Sequence, residues 1–279
     1  MRILVTGAGG QLGYDVCKVL AARGVEYQGV DVQDFDITDE KSVLEYITAY
    51  RPDALIHCSA WTAVDKAESE PNKCRAVNVG GTRNVATACK ATGAKMMYIS
   101  TDYVFSGDGE QFYEPGDPTG PLSVYGQTKL EGELVIKELL DQYFIVRISW
   151  AFGKNGSNFV KTMLRLAETN TKVNVVDDQT GSPTYTADLA LLLCDMIVTE
   201  KYGVYHATNE GVCSWAEFAR EIFRLSKQDV YVNAVLTNEY PTQAARPLNS
   251  RLSKKKLDLM GFDRLPPWQD ALERYLRNS

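Results

Sequence analysis

The sequence predicts a doubly wound α/β fold: a parallel sheet covered by helices on both faces, with a smaller C-terminal substrate-binding subdomain. Three observations carry this. Short apolar runs alternate with longer amphipathic ones through the first 150 residues. A glycine-rich turn, VTGAGGQLG, joins the first apolar run to a helical pattern. Beyond residue 150 the alternation becomes irregular. Strands that are apolar throughout belong in a sheet buried on both sides, which parallel pairing with helical crossovers supplies.

In chain order, RILVT (2–6) reads as a strand, 11–22 as a helix, YQGVD (27–31) as a strand and 39–50 as a helix. ALIHC (54–58) is a third strand, and a helical pattern fills 72–92. KMMYIS (95–100) is a fourth strand, followed by a Gly/Pro-rich loop and a helix over 123–140. YFIVRIS (143–149) makes a fifth strand. After it, helices are expected at 157–169, 186–199 and 214–226, with short strands near 173–176, 203–206 and 230–235. The stretch 243–257 reads as a basic, Pro-interrupted loop. Residues 1–150 thus form one domain and 151–279 mainly the second, with about 171–206 returning to the core. A cleft between the two is the natural ligand site.

Bulk properties exclude several classes. The net charge is −6 with Lys and Arg scattered, which argues against a nucleic-acid surface and leaves no polybasic patch for a membrane. No apolar run approaches the length of a membrane span. The N-terminus enters a strand without the regions of a signal peptide, so a cytoplasmic location is expected. Six cysteines show no CxxC pairing and read as reduced, buried thiols. With His57 and His206 as the two histidines, a histidine zinc site is disfavoured and no metal ligand is assigned.

Gly7, Gly10 and Gly13 stand three apart between a strand and a helix. Gly7 suits the tight turn, Gly10 lets the backbone approach a diphosphate, and Gly13 permits close helix–strand packing. The helix start offers free N–H groups to an anion. This is a Rossmann-like dinucleotide site. Asp31 ends the second strand, where a carboxylate accepts from an adenosine ribose and repels a 2′-phosphate, which by itself favours NADH over NADPH. Asp36 either meets the adenine amino group or caps the following helix.

SVYGQTK places Tyr125 and Lys129 four apart, on one helix face. Tyr14 and Lys18 share that interval, but their helix begins at the glycine loop and is committed to the diphosphate. The three-residue glycine spacing resembles the short-chain dehydrogenase/reductase superfamily, whose members carry a hydroxyl residue at the end of the fourth strand and Y-x-x-x-K on the next long helix. Here Ser100 and Thr101 end that strand, and Thr101 is preferred. A free phenol holds its proton to about pH 10. A neighbouring ammonium would lower that value, and Lys129 would also reach the nicotinamide ribose. Thr101 would orient and polarise a carbonyl oxygen.

Further stretches narrow the resemblance: TAVDKAESEP (62–71), STDYVFSG (100–107), PLSVYGQTKLEGE (121–133), RISWAFG (147–153), DDQTGSPTYTADLA (177–190) and RPLNSRL (246–252). Together they are similar to the dTDP-4-dehydrorhamnose reductase family along essentially the whole chain. The resemblance implies NAD(P)H-dependent reduction, at C4, of the 4-keto sugar nucleotide dTDP-4-dehydro-L-rhamnose. It implies Gly10, Gln11 and Leu12 at the cofactor phosphates and Asp31, Asp36 and Ile37 on the adenosine side. Ala60, Trp61 and Thr62 would line the cofactor channel. Thr101 and Asp102 would touch the sugar, Trp150 would pack on the nucleotide-sugar, and Tyr125 would donate the proton with Lys129 assisting. Arg246 is a candidate clamp on the substrate diphosphate. Some members form a Mg²⁺-dependent homodimer through acidic residues; Asp15 is a candidate counterpart, with a shorter side chain that argues against the metal. Two other readings remain open at this level: an epimerase or dehydratase of the same superfamily, and a binding subunit similar to the regulatory subunit of methionine adenosyltransferase.

Overall fold

The computed structural model describes residues 1–277. A six-stranded, all-parallel sheet is built from β1 (Arg2–Thr6), β2 (Glu26–Val30), β3 (Ala54–His57), β4 (Lys95–Thr101), β5 (Tyr143–Ile148) and a sixth strand, Gly203–His206. Across the sheet the order is Gly203–His206, β5, β4, β3, β1, β2. The chain therefore winds one way from β1 to β2 and the other way from β3 to β5. The direction reverses between β1 and β3, and in such sheets ligands bind at the carboxyl ends of the strands beside that reversal.

Strand alternation divides the core into two layers. Ile3 and Val5 face a cluster built on α1 (Gln11–Ala22) and the helix Thr186–Ile197. Leu4 faces the opposite cluster, built on α2 (Glu40–Tyr50) and the later helix Thr82–Thr92. The crossover from β3 to β4 is more broken than its helical pattern suggests. It comprises α3 (Val64–Ser69), α4 (Pro71–Arg75), a π-helical turn over Ala76–Gly81, and α5 (Thr82–Thr92). The next helix, α6 (Val124–Leu139), is capped by Ser123, whose hydroxyl accepts from the Gly126 N–H at 3.1 Å.

The second unit has its own core, centred on Phe152, Phe218, Ile222 and Leu272. The expected return of 171–206 to the sheet is shorter than the sequence suggests. The strand Lys172–Val176 pairs instead with Tyr231–Val235 in the second unit, and the return begins at the helix Thr186–Ile197. Within the basic loop, Asn249–Ser250 pairs with Thr180–Gly181, and Lys255–Leu259 is a short helix. A further helix, Trp268–Arg277, closes the second core. No helix among the described residues is long and apolar enough to cross a membrane. All six cysteines are free; four are buried as expected, while Cys17 and Cys58 are only half-buried.

Candidate active site

A cleft of about 700 Å³ opens at the carboxyl ends of β1, β3, β4 and β5 and runs from the glycine loop to Trp150. Its first wall is backbone. Gly7 adopts φ +69°, and a Cβ there would lie 2.8 Å from the Ser59 nitrogen. Gly13 lies behind the loop: a Cβ on it would come within 2.1 Å of the Gly7 carbonyl oxygen, so its role is to let α1 approach β1. Gly10, Gln11 and Leu12 line the cleft, and no side chain caps the helix that begins there. Uncapped N–H groups at a helix start suit a diphosphate. This cradle fits a dinucleotide cofactor.

Asp31 sits at the end of β2 with one oxygen accepting from the Gly9 N–H at 2.8 Å and the other from Val32 N–H at 2.8 Å. Asp36 and Ile37 line the same end. Asp36 accepts from the backbone and hydroxyl of Thr38, both at 2.8 Å, whereas the α2 cap is Asp39.

At the other end, β4 delivers Thr101 and the first turn of α6 delivers Tyr125, both on the cleft wall. Ser100 also borders the cleft, but its hydroxyl is engaged in donating to Glu133 Oε1 at 2.6 Å. Thr101 Oγ1 donates to Asp102 Oδ1 at 2.9 Å, and Tyr103 packs edge-on against Tyr125 with centroids 5.5 Å apart. Lys129 is buried, its Nζ donating to the Ile99 carbonyl at 2.7 Å and lying 4.0 Å from the Tyr98 ring centroid.

The electrostatics differ from the expectation of a phenol acidified by its lysine. Burial holds the Tyr125 phenol above its ordinary value, opposed by the Thr101 hydroxyl and reinforced by the charge of Asp102. Burial also brings the Lys129 amine down to about 7, with Glu133 acting against the fall. Burial likewise pushes the Asp102 carboxyl up to about 6. A phenol that keeps its proton at neutral pH is nonetheless the form that can give one to an alkoxide, a far stronger base than phenolate.

The family model described as RmlD substrate binding domain matches residues 1–279. The chain belongs to the RmlD family. It is 42% identical over 278 residues to a dTDP-4-dehydrorhamnose reductase of Streptomyces griseus, covering 97% of this chain and 91% of that protein. It is 41% identical over 276 residues to the spore coat polysaccharide biosynthesis protein SpsK of Bacillus subtilis (strain 168), covering 99% of this chain and 97% of that protein. The crystal structure of dTDP-4-dehydrorhamnose reductase from Bacillus anthracis str. Ames in complex with NADP superposes with a TM-score of 0.97 at 44% identity, over 100% of this chain and 99% of that one.

Within this RmlD-family cleft, most residues read from the sequence converge, including Ala60, Thr62, Asp102 and Trp150. Two do not. Trp61 is absent from the lining; its indole Nε1 donates to Ala63 O at 3.1 Å and Lys66 Nζ lies 5.4 Å from the ring centroid. Arg246, the candidate diphosphate clamp, is also absent from the lining, because Asp65 on α3 holds its guanidinium through two hydrogen bonds of 2.6 and 3.1 Å. Asp15 is buried, its carboxylate accepting from Thr186 Oγ1 at 2.5 Å.

Other RmlD-site residues were invisible to sequence reading. Gly156 and Ser157 border the cleft from the second unit. Their loop is tied to the cofactor end by Asn155, which donates to Gly9 O at 3.0 Å, and by Asn158, which donates to Gln11 Oε1 at 3.1 Å. The available signal was NGSN ahead of a helical pattern, a turn followed by an N-cap; Asn158 does accept from Lys161 N–H at 3.0 Å. Trp150 adopts φ +51° and stacks on Trp215, centroids 3.7 Å apart. A Cβ on Gly181 would lie 2.9 Å from the Trp150 ring, so glycine is needed to seat it.

Proposed function

We propose that the protein reduces the C4 keto group of dTDP-4-dehydro-L-rhamnose to dTDP-L-rhamnose with NADH or NADPH, in a cleft where Tyr125 is the proton donor. The observation that carries this reading is the meeting of Thr101, Tyr125 and Lys129 in the cleft that begins at the glycine loop, in a chain of the RmlD family. The nicotinamide, when bound, supplies hydride to the carbonyl carbon. Tyr125 gives its hydroxyl proton to the oxygen that becomes the alcohol. Thr101 and Asp102 hold that oxygen and the neighbouring sugar hydroxyls. Lys129 holds the nicotinamide ribose and places positive charge beside the developing alkoxide, and Trp150 offers a flat face to the nucleotide-sugar.

The test is oxidation of NADH and of NADPH by the purified protein with several 4-keto nucleotide sugars. Turnover fastest with dTDP-4-dehydro-L-rhamnose is expected. Tight cofactor binding without oxidation of any of them would make the chain a binding subunit instead.

Cofactor choice turns on Asp31. Its carboxylate is held at the cofactor end by Gly9 N–H, where it would face a 2′-phosphate as a like charge. Asp31→Ser is therefore expected to move the ratio of kcat/KM for NADPH over NADH upward by about tenfold, roughly the effect of removing one like-charge contact. A ratio unchanged in steady-state assays would place the discrimination elsewhere.

A further inference from the structure

We propose that Glu133 is a positioning residue for this reaction: its buried carboxylate, one helical turn beyond Lys129, keeps the Lys129 ammonium charged beside the cofactor. Its effect on turnover rests on the reductase reading above; its effect on Lys129 does not.

Glu133 is fully buried and accepts three hydrogen bonds from two side chains. Arg147 on β5 grips it with two bonds, Nε to Oε1 at 2.8 Å and Nη2 to Oε2 at 2.7 Å. Ser100 on β4 adds the 2.6 Å bond from its hydroxyl, and Lys137 Nζ lies 3.8 Å away. Arg147 is itself held by the Pro115 carbonyl at 3.2 Å and the face of Phe105 at 5.0 Å. A buried ion pair is weak evidence for stability, because apolar side chains of similar volume commonly serve as well. What this pair does is fix a negative charge at i+4 from Lys129, on the same helix face.

The surroundings of Lys129 leave that charge without a substitute. From the end of β3 comes His57 and from the residue after it Cys58, from α4 Cys74, from β4 Tyr98, and from α6 Tyr125 and Glu133. Burial pushes the thiols of Cys58 and Cys74 up and the His57 imidazole down to about 3, so these are neutral at pH 7. The phenols of Tyr98 and Tyr125 are raised and neutral as well. Among the groups that act on the Lys129 amine, Glu133 is the carboxylate that opposes its desolvation. Removing the carboxylate lets the ammonium lose its proton at lower pH; removing Arg147 alone would have the opposite sign.

The experiment follows the ¹³Cε shift of Lys129 against pH in lysine-labelled protein without cofactor, the resonance being assigned with Lys129→Arg. A wild-type midpoint near 7 is expected. In Glu133→Gln it should fall by about one pH unit, with partial recovery in Glu133→Asp. Glu133→Met combined with Arg147→Met leaves no unpaired buried charge in the pair, so it keeps the test open if the single variant does not fold; its midpoint should still fall, by less than in Glu133→Gln, because loss of the more distant Arg147 cation acts the other way. The alkaline limb of kcat/KM should move with the midpoint. An unmoved midpoint in the double variant, or in folded Glu133→Gln, overturns the proposal and leaves Glu133 a packing residue. Wild-type protein that turns over no 4-keto sugar while the midpoint still falls would instead defeat the reductase reading alone.

Discussion

Tyr125→Phe is expected to lower kcat by roughly 10²–10⁴-fold, the usual contribution of a positioned proton donor. NADPH affinity, read by fluorescence titration, should stay within about twofold of wild type, an effect worth well under 1 kcal/mol. The reasoning is local. Phenylalanine retains the ring that packs edge-on against Tyr103 and leaves the Ser123 cap of α6 intact, so the wall keeps its shape. What disappears is the one hydroxyl proton that burial holds on the phenol at neutral pH. Single-turnover measurements would separate this from binding or product release. Unchanged kcat would remove Tyr125 from the chemistry.

Lys129→Met is expected to lower kcat by roughly 10²-fold and, unlike the tyrosine change, to weaken cofactor binding by about tenfold as well. Two functions are lost together: a positive charge near the developing alkoxide and a donor to the nicotinamide ribose. Stability should move the other way or not at all. The amine is buried, with desolvation as the largest influence on it, and methionine fills similar volume without that cost. The variant therefore holds or gains in Tm by calorimetry while losing activity. A drop in Tm with kcat and affinity intact would recast Lys129 as structural, its bond to the Ile99 carbonyl being the part that mattered.

Much of this site was legible because its signals are local. The strand-to-helix glycine turn, Asp31 at the next strand end, and the Tyr125–Lys129 interval each lie within one supersecondary unit, where spacing dictates geometry. Partner choice across the fold is another matter. Arg246 carried a phosphate-binding side chain in a loop, and nothing near it announced Asp65, which lies 181 residues earlier and claims the guanidinium. The tethers from Asn155 and Asn158 to the glycine loop likewise depend on how the second unit docks. The helix Trp268–Arg277 escaped notice because it follows directly on Pro266 and Pro267, and its apolar face has meaning only against Phe152, Phe218 and their neighbours. The electrostatic error has the same origin: i, i+4 spacing suggested that lysine would acidify tyrosine, whereas the depth of both groups decides the outcome.

The most direct test follows the fate of the hydride. The protein is incubated with dTDP-4-dehydro-L-rhamnose and NADPH deuterated at the transferable position of C4 of the nicotinamide, and the sugar product is examined by NMR. One deuterium at C4 of the sugar, in dTDP-L-rhamnose, is the expected result. Deuterium at any other sugar carbon, or intact deuterated cofactor beside unreduced ketone, would contradict the account.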